Sequence, residues 1–505
     1  MMTNNNSEET GDVLVTEKAI RWLDGVDIQT GTITQENHPL KGVSIAGKTL
    51  IMPKSTGSTV GTYRLFALVK NRKAPRKIVL KEFDAITLPA ILFGVEVEIE
   101  KTCKKNERGV FVDEADIIGL PTEFLDYLKK EAELAGSERL VPVTSAQISG
   151  VSYKTATDAG LDFIENFAKK GYKVRVLTTL NPAGMDFDEW ETMGVPESFA
   201  VKQKRIAKAL LKLGVTPTFT CTPYLCGNVP MFGDHIAWAE SSAVIFANSV
   251  LGARTEREGS AKSLIAAICG LTSMCGAHLM ENRIPTHIIN IDFIPKSLHN
   301  YSLIGIFIGE KFGTGGQRCT PFFRFTSKKL TSDQLKALGA GLATSGSISV
   351  YHVENVTPEV KAGLITPENA EETFKCSKEE VKATMEKLTT TGAKPDLITL
   401  GCPHASITEI SEIAEILKEK QLKIPLWVCT SKPVKEVAKR QGFERVIKKA
   451  GGLIVADACM VVAPLEIMGY KIIGTNSSKA AHYLKSLSGL DVVIASLKEL
   501  IKMAS

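Results

Sequence analysis

No run in this 505-residue chain approaches the roughly 18 apolar residues that a helix needs to cross a bilayer, so no membrane role is expected. No stripe of Lys and Arg interleaved with aromatics appears, and a formal charge of +5 is small for the length; nucleic-acid binding is not expected either. The opening MMTNNNSEET is polar and acidic, unlike a secretory signal or a transit peptide, so a cytoplasmic location is expected, with residues 1–12 as a disordered tail. Internal repeats, low-complexity tracts and CxxC pairs are missing. The Gly-rich turn at residues 52–62 lacks the closing Gly-Lys-[Ser/Thr] of a P-loop.

What is present is the composition of a globular enzyme, 44% hydrophobic and 23% charged, long enough for two to four domains. Residues 13–103 read as a small β-rich unit with strands such as KTLIMP and RKIVLKE. Residues 104–137 change character and contain a helix-like LPTEFLDYLKKEAELAG, expected as a helical linker. From 138 to 505, apolar runs alternate with amphipathic stretches, which predicts several α/β subdomains with parallel sheets.

Ten cysteines in a chain of this kind are not expected to form a disulfide framework. Each is by default a small buried hydrophobe, so position must select any metal ligand. Cys221 follows VTPTFT, Cys402 follows DLITLG and Cys459 follows GGLIVADA; Asn181 and Asn476 also sit at predicted strand ends. Ligand sites of open α/β sheets gather beyond the carboxyl ends of strands, so these five residues can share one site. Cys429, in WVCTSKP, competes for a ligand role, whereas Cys269, Cys275 and Cys376 read as filler.

Three turns open helices with small or hydroxyl-bearing residues: STGST around Ser58, GVSYKT at 150–155 and TNSSKAA at 475–481. Backbone amides there suit an anion, with Lys154 or Lys479 assisting, and ordinary capping explains them equally. FGDHIAWAESSAVIFANSVLGART places Asp234, His235, Glu240, Asn248 and Arg254 on an apolar stretch. An Asp–His pair suits proton delivery; a buried ion-pair network is the structural alternative.

Taken together these segments resemble the aconitase X family over nearly the whole chain. GDVLVTEKAIRWLDGVD, NHPLKGVSIAGKTLIMP and GSTVGT look like its small subunit or swivelling domain. SAQISGVSYKT, TTLNPAGMD, CTPYL, GDHIAWAESSAVIFANSVLGART, LGCPH, PLWVCTS and TNSSKAA look like its large subunit. One branch of the family, usually a single chain, dehydrates cis-3-hydroxy-L-proline; the other, usually two subunits, dehydrates mevalonate 5-phosphate. SAQISGVSYKT and TTLNPAGMD look like the second branch, although the fusion is like the first.

The resemblance implies a four-iron, four-sulfur cluster held by Cys221, Cys402 and Cys459, with one iron open to substrate. It implies Ser58 as base; beside it, the Asp–His pair suited to proton delivery makes His235, oriented by Asp234, the expected donor to the departing hydroxyl. It implies substrate contacts from Gly150, Val151, Ser152, Asn181, Pro182, Glu240, Ser241, Asn476 and Ser477. No separate small subunit is then required. Two positions depart from the family pattern: Thr56 stands where Arg often precedes the Gly-Ser, and Met280 where Asp is common. A protein that senses iron or a phosphorylated metabolite without turnover is the alternative of another class.

Overall fold

A computed structural model describes residues 9–10, 12–100, 110–313, 318–327, 329–368 and 370–505. Most of the tail expected over 1–12, and the boundary expected at 103–104, lie outside the described residues; within the tail, Glu9–Thr10 pairs antiparallel with Val13 and Leu14.

The small domain is a sheet whose next four strands, Val13–Val15, Thr49–Met52, Lys77–Leu80 and Glu96–Ile99, run parallel in sequence order. Alternation buries Leu50, Met52, Ile78, Leu80, Val97 and Ile99 on one face, as period-two strands require. The helix Gly61–Lys70 serves two cores. Its Leu65 and Leu68 pack on this sheet, while Tyr63 enters the core of the large part and lies 5.9 Å from the Phe163 ring. Gly150 makes that approach possible, because a Cβ there would stand 2.4 Å from Tyr63 Cε2.

The large part contains three parallel sheets among the described residues. Ser145–Ile148 lies between Leu177–Leu180 and Ala237–Trp238. His287–Ile291 pairs with Pro321–Arg324 and Glu372–Cys376, and His352–Val353 extends the sheet. Leu397–Leu400 is the centre of a five-stranded sheet, with Leu426–Thr430 and Gly452–Ala456 on one side and Ile472–Thr475 and Asp491–Ile494 on the other. The order therefore reverses between Leu397–Leu400 and Ile472–Thr475, and a crevice opens beyond their carboxyl ends.

The helix Thr122–Leu134, read above as part of a linker, is built into the large part: Phe124, Tyr127 and Leu128 are buried in its core. Its Glu131 pairs with Lys262 in an ion-pair network that is wholly buried. Among the described residues no helix is long and apolar enough to cross a membrane.

Candidate active site

The three cysteine loops converge. Cys402 follows the central strand through Gly401, whose φ of +86° and crowding (a Cβ would lie 2.1 Å from Cys429 O) require glycine. Cys459 follows Gly452–Ala456. Cys221 ends a segment that is not a strand: only Thr216 bridges to Thr179, because Thr218 N turns back to donate to Thr216 O at 2.8 Å and Phe219 takes a φ of +39°.

His404, which no sequence signal singled out, ties these loops together. Its backbone N–H donates to Cys221 Sγ at 3.2 Å. Its Nε2 lies 3.0 Å from Ala458 O, beside Cys459, and its Nδ1 2.9 Å from Thr220 Oγ1, beside Cys221. A carbonyl only accepts, so Nε2 carries the proton and Nδ1 accepts from Thr220. Burial pushes the imidazole down to about 4, which keeps it neutral and in that role. His404→Ala is expected to leave a folded chain that binds less than half the iron of the wild type, measured as iron per chain after anaerobic reconstitution. Full iron content would show that the loops hold without it.

The thiols of Cys221, Cys402 and Cys459 are buried and line one cavity of about 60 Å³. Burial pushes Cys221 up to about 12. Cys402 is held below the usual thiol range, first by the hydrogen bond from Cys459 and then by the Lys479 ammonium. No group of three His, Cys, Asp or Glu among the described residues could hold a single ion. Three buried thiols lining one cavity are donors of the kind that iron–sulfur clusters take. Cys429 is buried behind them, close enough to Cys402 and Cys221 to feel their charge, and does not line the cavity.

The other walls come from every expected turn. The Gly150–Val151–Ser152 turn opens the helix Tyr153–Lys169, with Ser152 Oγ accepting from Lys154 N at 3.2 Å. Asn181 and Pro182 lie beside it, and Asn181 donates to Glu240 Oε2 at 2.7 Å. Asn181 Oδ1 is buried with no hydrogen-bond partner. Glu240 pairs with Lys479, which also donates to Ser242 Oγ at 3.0 Å. Burial alone would push the Glu240 carboxyl up, but Lys479 and Asn181 outweigh it and hold it below the usual range. Ser241 completes this wall, and Ser477 hydrogen-bonds Cys402.

Ser58 enters from the small domain. Its Oγ lies 3.5 Å from Val60 N, ahead of the helix Gly61–Lys70. The seam around it is made of hydroxyls: Thr59 Oγ1 is 3.1 Å from Ser149 Oγ, which is 2.9 Å from Ser260 Oγ. Arg257 Nη2 donates to Gly57 O at 2.7 Å.

Three expected site residues lie elsewhere. Asp234 accepts from Met231 N at 2.9 Å, while His235 Nδ1 faces His278 Nδ1 at 2.8 Å. Neither Asp234 nor His235 lines the cavity, and the imidazole turns to His278 rather than to its neighbour. Consecutive residues of extended chain point to opposite sides, so adjacency does not make a pair. Asn476 does not line this cavity; it lines a second one, where its backbone carbonyl accepts from His299 Nδ1 at 3.1 Å.

A cavity lined by three buried thiols at the ends of parallel strands, with a serine of a second domain in its wall, has the build of an active site in an α/β enzyme. Family models for aconitase X match in four pieces: its swivel domain over residues 3–108, first domain over 121–281, second domain over 285–386 and third domain over 395–505. The chain belongs to the aconitase X family, and it is a hydro-lyase rather than a sensor. It is 48% identical to the phosphomevalonate dehydratase large subunit of Methanocaldococcus jannaschii, over 75% of this chain and 94% of that one. It is 44% identical to the phosphomevalonate dehydratase small subunit of Pyrococcus horikoshii, over 20% of this chain and 77% of that one. Cis-3-hydroxy-L-proline dehydratase of Pseudomonas aeruginosa is 29% identical over 98% of this chain and 94% of its own length. The crystal structure of Thermococcus kodakaraensis aconitase X in its holo-form superposes with a TM-score of 0.71 at 39% identity, covering 78% of this chain and all of that one. One chain thus carries stretches similar to both a large and a small subunit.

Proposed function

We propose that the chain removes water from (R)-mevalonate 5-phosphate to give trans-anhydromevalonate 5-phosphate. The observation that carries this reading is the meeting of Ser58 with Cys221, Cys402 and Cys459 in one cavity. Similarity to large and small phosphomevalonate dehydratase subunits supports the choice of substrate.

Cys221, Cys402 and Cys459 would hold a four-iron, four-sulfur cluster, which when bound supplies a Lewis acid for loss of the C3 hydroxyl, from an iron that no protein thiolate covers. Ser58 takes the C2 proton, next to the substrate carboxylate. The Val60 amide and the amino end of the helix Gly61–Lys70 favour its ionised form. The Gly150–Ser152 turn, at a helix N-terminus, receives phosphate on its amides. Glu240 and Lys479 orient the substrate, and Asn181 Oδ1 accepts from one of its hydroxyls. Pro182 and Ser241 close the wall, and Ser477 steadies the Cys402 thiol through its hydrogen bond. Ligand cavities usually measure about 300–1,000 Å³, so about 60 Å³ beneath the docked small domain means that the domain lifts to admit substrate.

The test is anaerobic turnover of the iron-loaded chain with mevalonate 5-phosphate and, separately, with cis-3-hydroxy-L-proline. Loss of water from the first alone is expected. Turnover of hydroxyproline alone would overturn this substrate and support the second reading, which the match to the Pseudomonas aeruginosa enzyme along nearly the whole fused chain favours.

A further inference from the structure

The helix Ser478–Ser488 lays one row of side chains along the cavity of the three cysteines. Lys479, Tyr483 and Leu487 follow one another at four-residue steps, share a face and all line it. The row starts at the thiols, where Ser477 hydrogen-bonds Cys402. At about 1.5 Å per residue, Tyr483 stands about 6 Å further along the helix axis than Lys479. Arg257, which donates to Gly57 O at 2.7 Å, is close enough to Tyr483 for its charge to act on the phenol. One guanidinium thus links the ring to the turn that carries Ser58.

Tyr483 is 8% exposed, and its hydroxyl makes no hydrogen bond among the described residues. Tyr63, Tyr127 and Tyr224 lack a partner too, but their hydroxyls are sealed in the protein, whereas that of Tyr483 keeps accessible surface. Burial pushes the phenol up against the pull of Lys479 and Arg257, so it stays protonated and can donate. Other hydroxyls of the wall are already engaged: Ser152 donates to Val462 O at 2.8 Å and Thr155 to Ser152 O at 3.0 Å. A largely buried donor left free at a ligand cavity calls for an acceptor on the ligand.

We infer that Tyr483 is a further catalytic residue, its hydroxyl opening on the cavity and donating to an oxygen of the substrate carboxylate. When Ser58 takes the C2 proton, the electron pair of the C2–H bond moves toward the carboxylate, whose oxygens gain charge. As the C3 hydroxyl departs, the pair returns to form the C2–C3 double bond. A donor fixed at those oxygens binds the charged transition state more strongly than the substrate, and so raises kcat. The inference rests on the dehydratase reading and on Ser58 as base, but not on the choice of substrate. Mevalonate 5-phosphate and cis-3-hydroxy-L-proline both lose a proton beside a carboxylate and a hydroxyl from the next carbon.

The test is Tyr483→Phe in the full iron-loaded chain, assayed anaerobically with whichever of the two substrates the wild type turns over. Phenylalanine keeps the ring and its edge contact with His482, centroids 5.1 Å apart, and removes only an oxygen that binds nothing in the protein. Visible absorbance and urea midpoint should match the wild type, while kcat falls about 10–100-fold and KM stays within about threefold. Deuterium at C2 should slow the variant at least as much as the wild type, because proton removal is the step that is weakened. Unchanged kcat, a rise in KM alone, loss of colour or stability, or a smaller deuterium effect would each overturn the assignment. Turnover of neither substrate by the wild type would overturn the dehydratase reading itself, and this inference with it.

Discussion

Ser58→Ala should keep the visible absorbance of the bound cluster and lose about 10²–10⁴-fold in turnover. The two readouts separate because Ser58 and the thiols come from different domains. Ser58 contributes little to its own turn: the hydrogen bond from Val60 N is long at 3.5 Å, and the turn keeps its Gly61 N to Ser58 O bond at 3.1 Å. Docking relies instead on Thr59, Ser149, Ser260 and Arg257, which the substitution leaves alone. The cysteine loops rest on His404, a residue of the other domain. A variant that turns over substrate within about tenfold of wild type would remove Ser58 from the chemistry. One that loses its colour would mean that the serine acts on the site's architecture instead.

Lys262→Met should be the most destabilising single change outside the cavity, by about 3–5 kcal/mol. Lys262, Glu131 and Glu258 have no exposed side-chain surface. Lys262 Nζ donates to Glu131 Oε1 at 2.6 Å and lies 2.8 Å from Glu258 Oε2, the second contact an ion pair without hydrogen-bond alignment. Ser273 and Thr272 complete the set by donating to Glu131 and Glu258. Methionine matches the volume but leaves two carboxylates buried with no cation, where burial already pushes Glu258 up. Lys70→Met, at the exposed pair with Asp162, should cost about 0–1 kcal/mol. Urea midpoints of the two variants measure the contrast, and equal midpoints would contradict it.

The strand-end cysteines were legible because hydrophobic runs such as DLITLG and GGLIVAD mark buried parallel strands, and those strands form. The path to Cys221 was misread as a strand, since the run VTPTFT does not reveal that Thr218 N turns back to Thr216 O or that Phe219 takes a positive φ. Contacts across long separations left no trace in sequence. His404 meets Thr220 across 184 positions, and Lys479 meets Glu240 across 239. Local adjacency misled in the other direction: Asp234 and His235 diverge, and Asn476 lines a second cavity while Ser477 hydrogen-bonds Cys402.

The presence of both domains on one chain has a consequence beyond geometry. Ser58 meets the thiols at a local concentration set by the connecting segment, on the order of millimolar for short tethers. Dilution does not lower it, and neither does unequal synthesis of two parts. Where separate subunits must find each other before any turnover, this chain carries its stoichiometry in its own covalent structure.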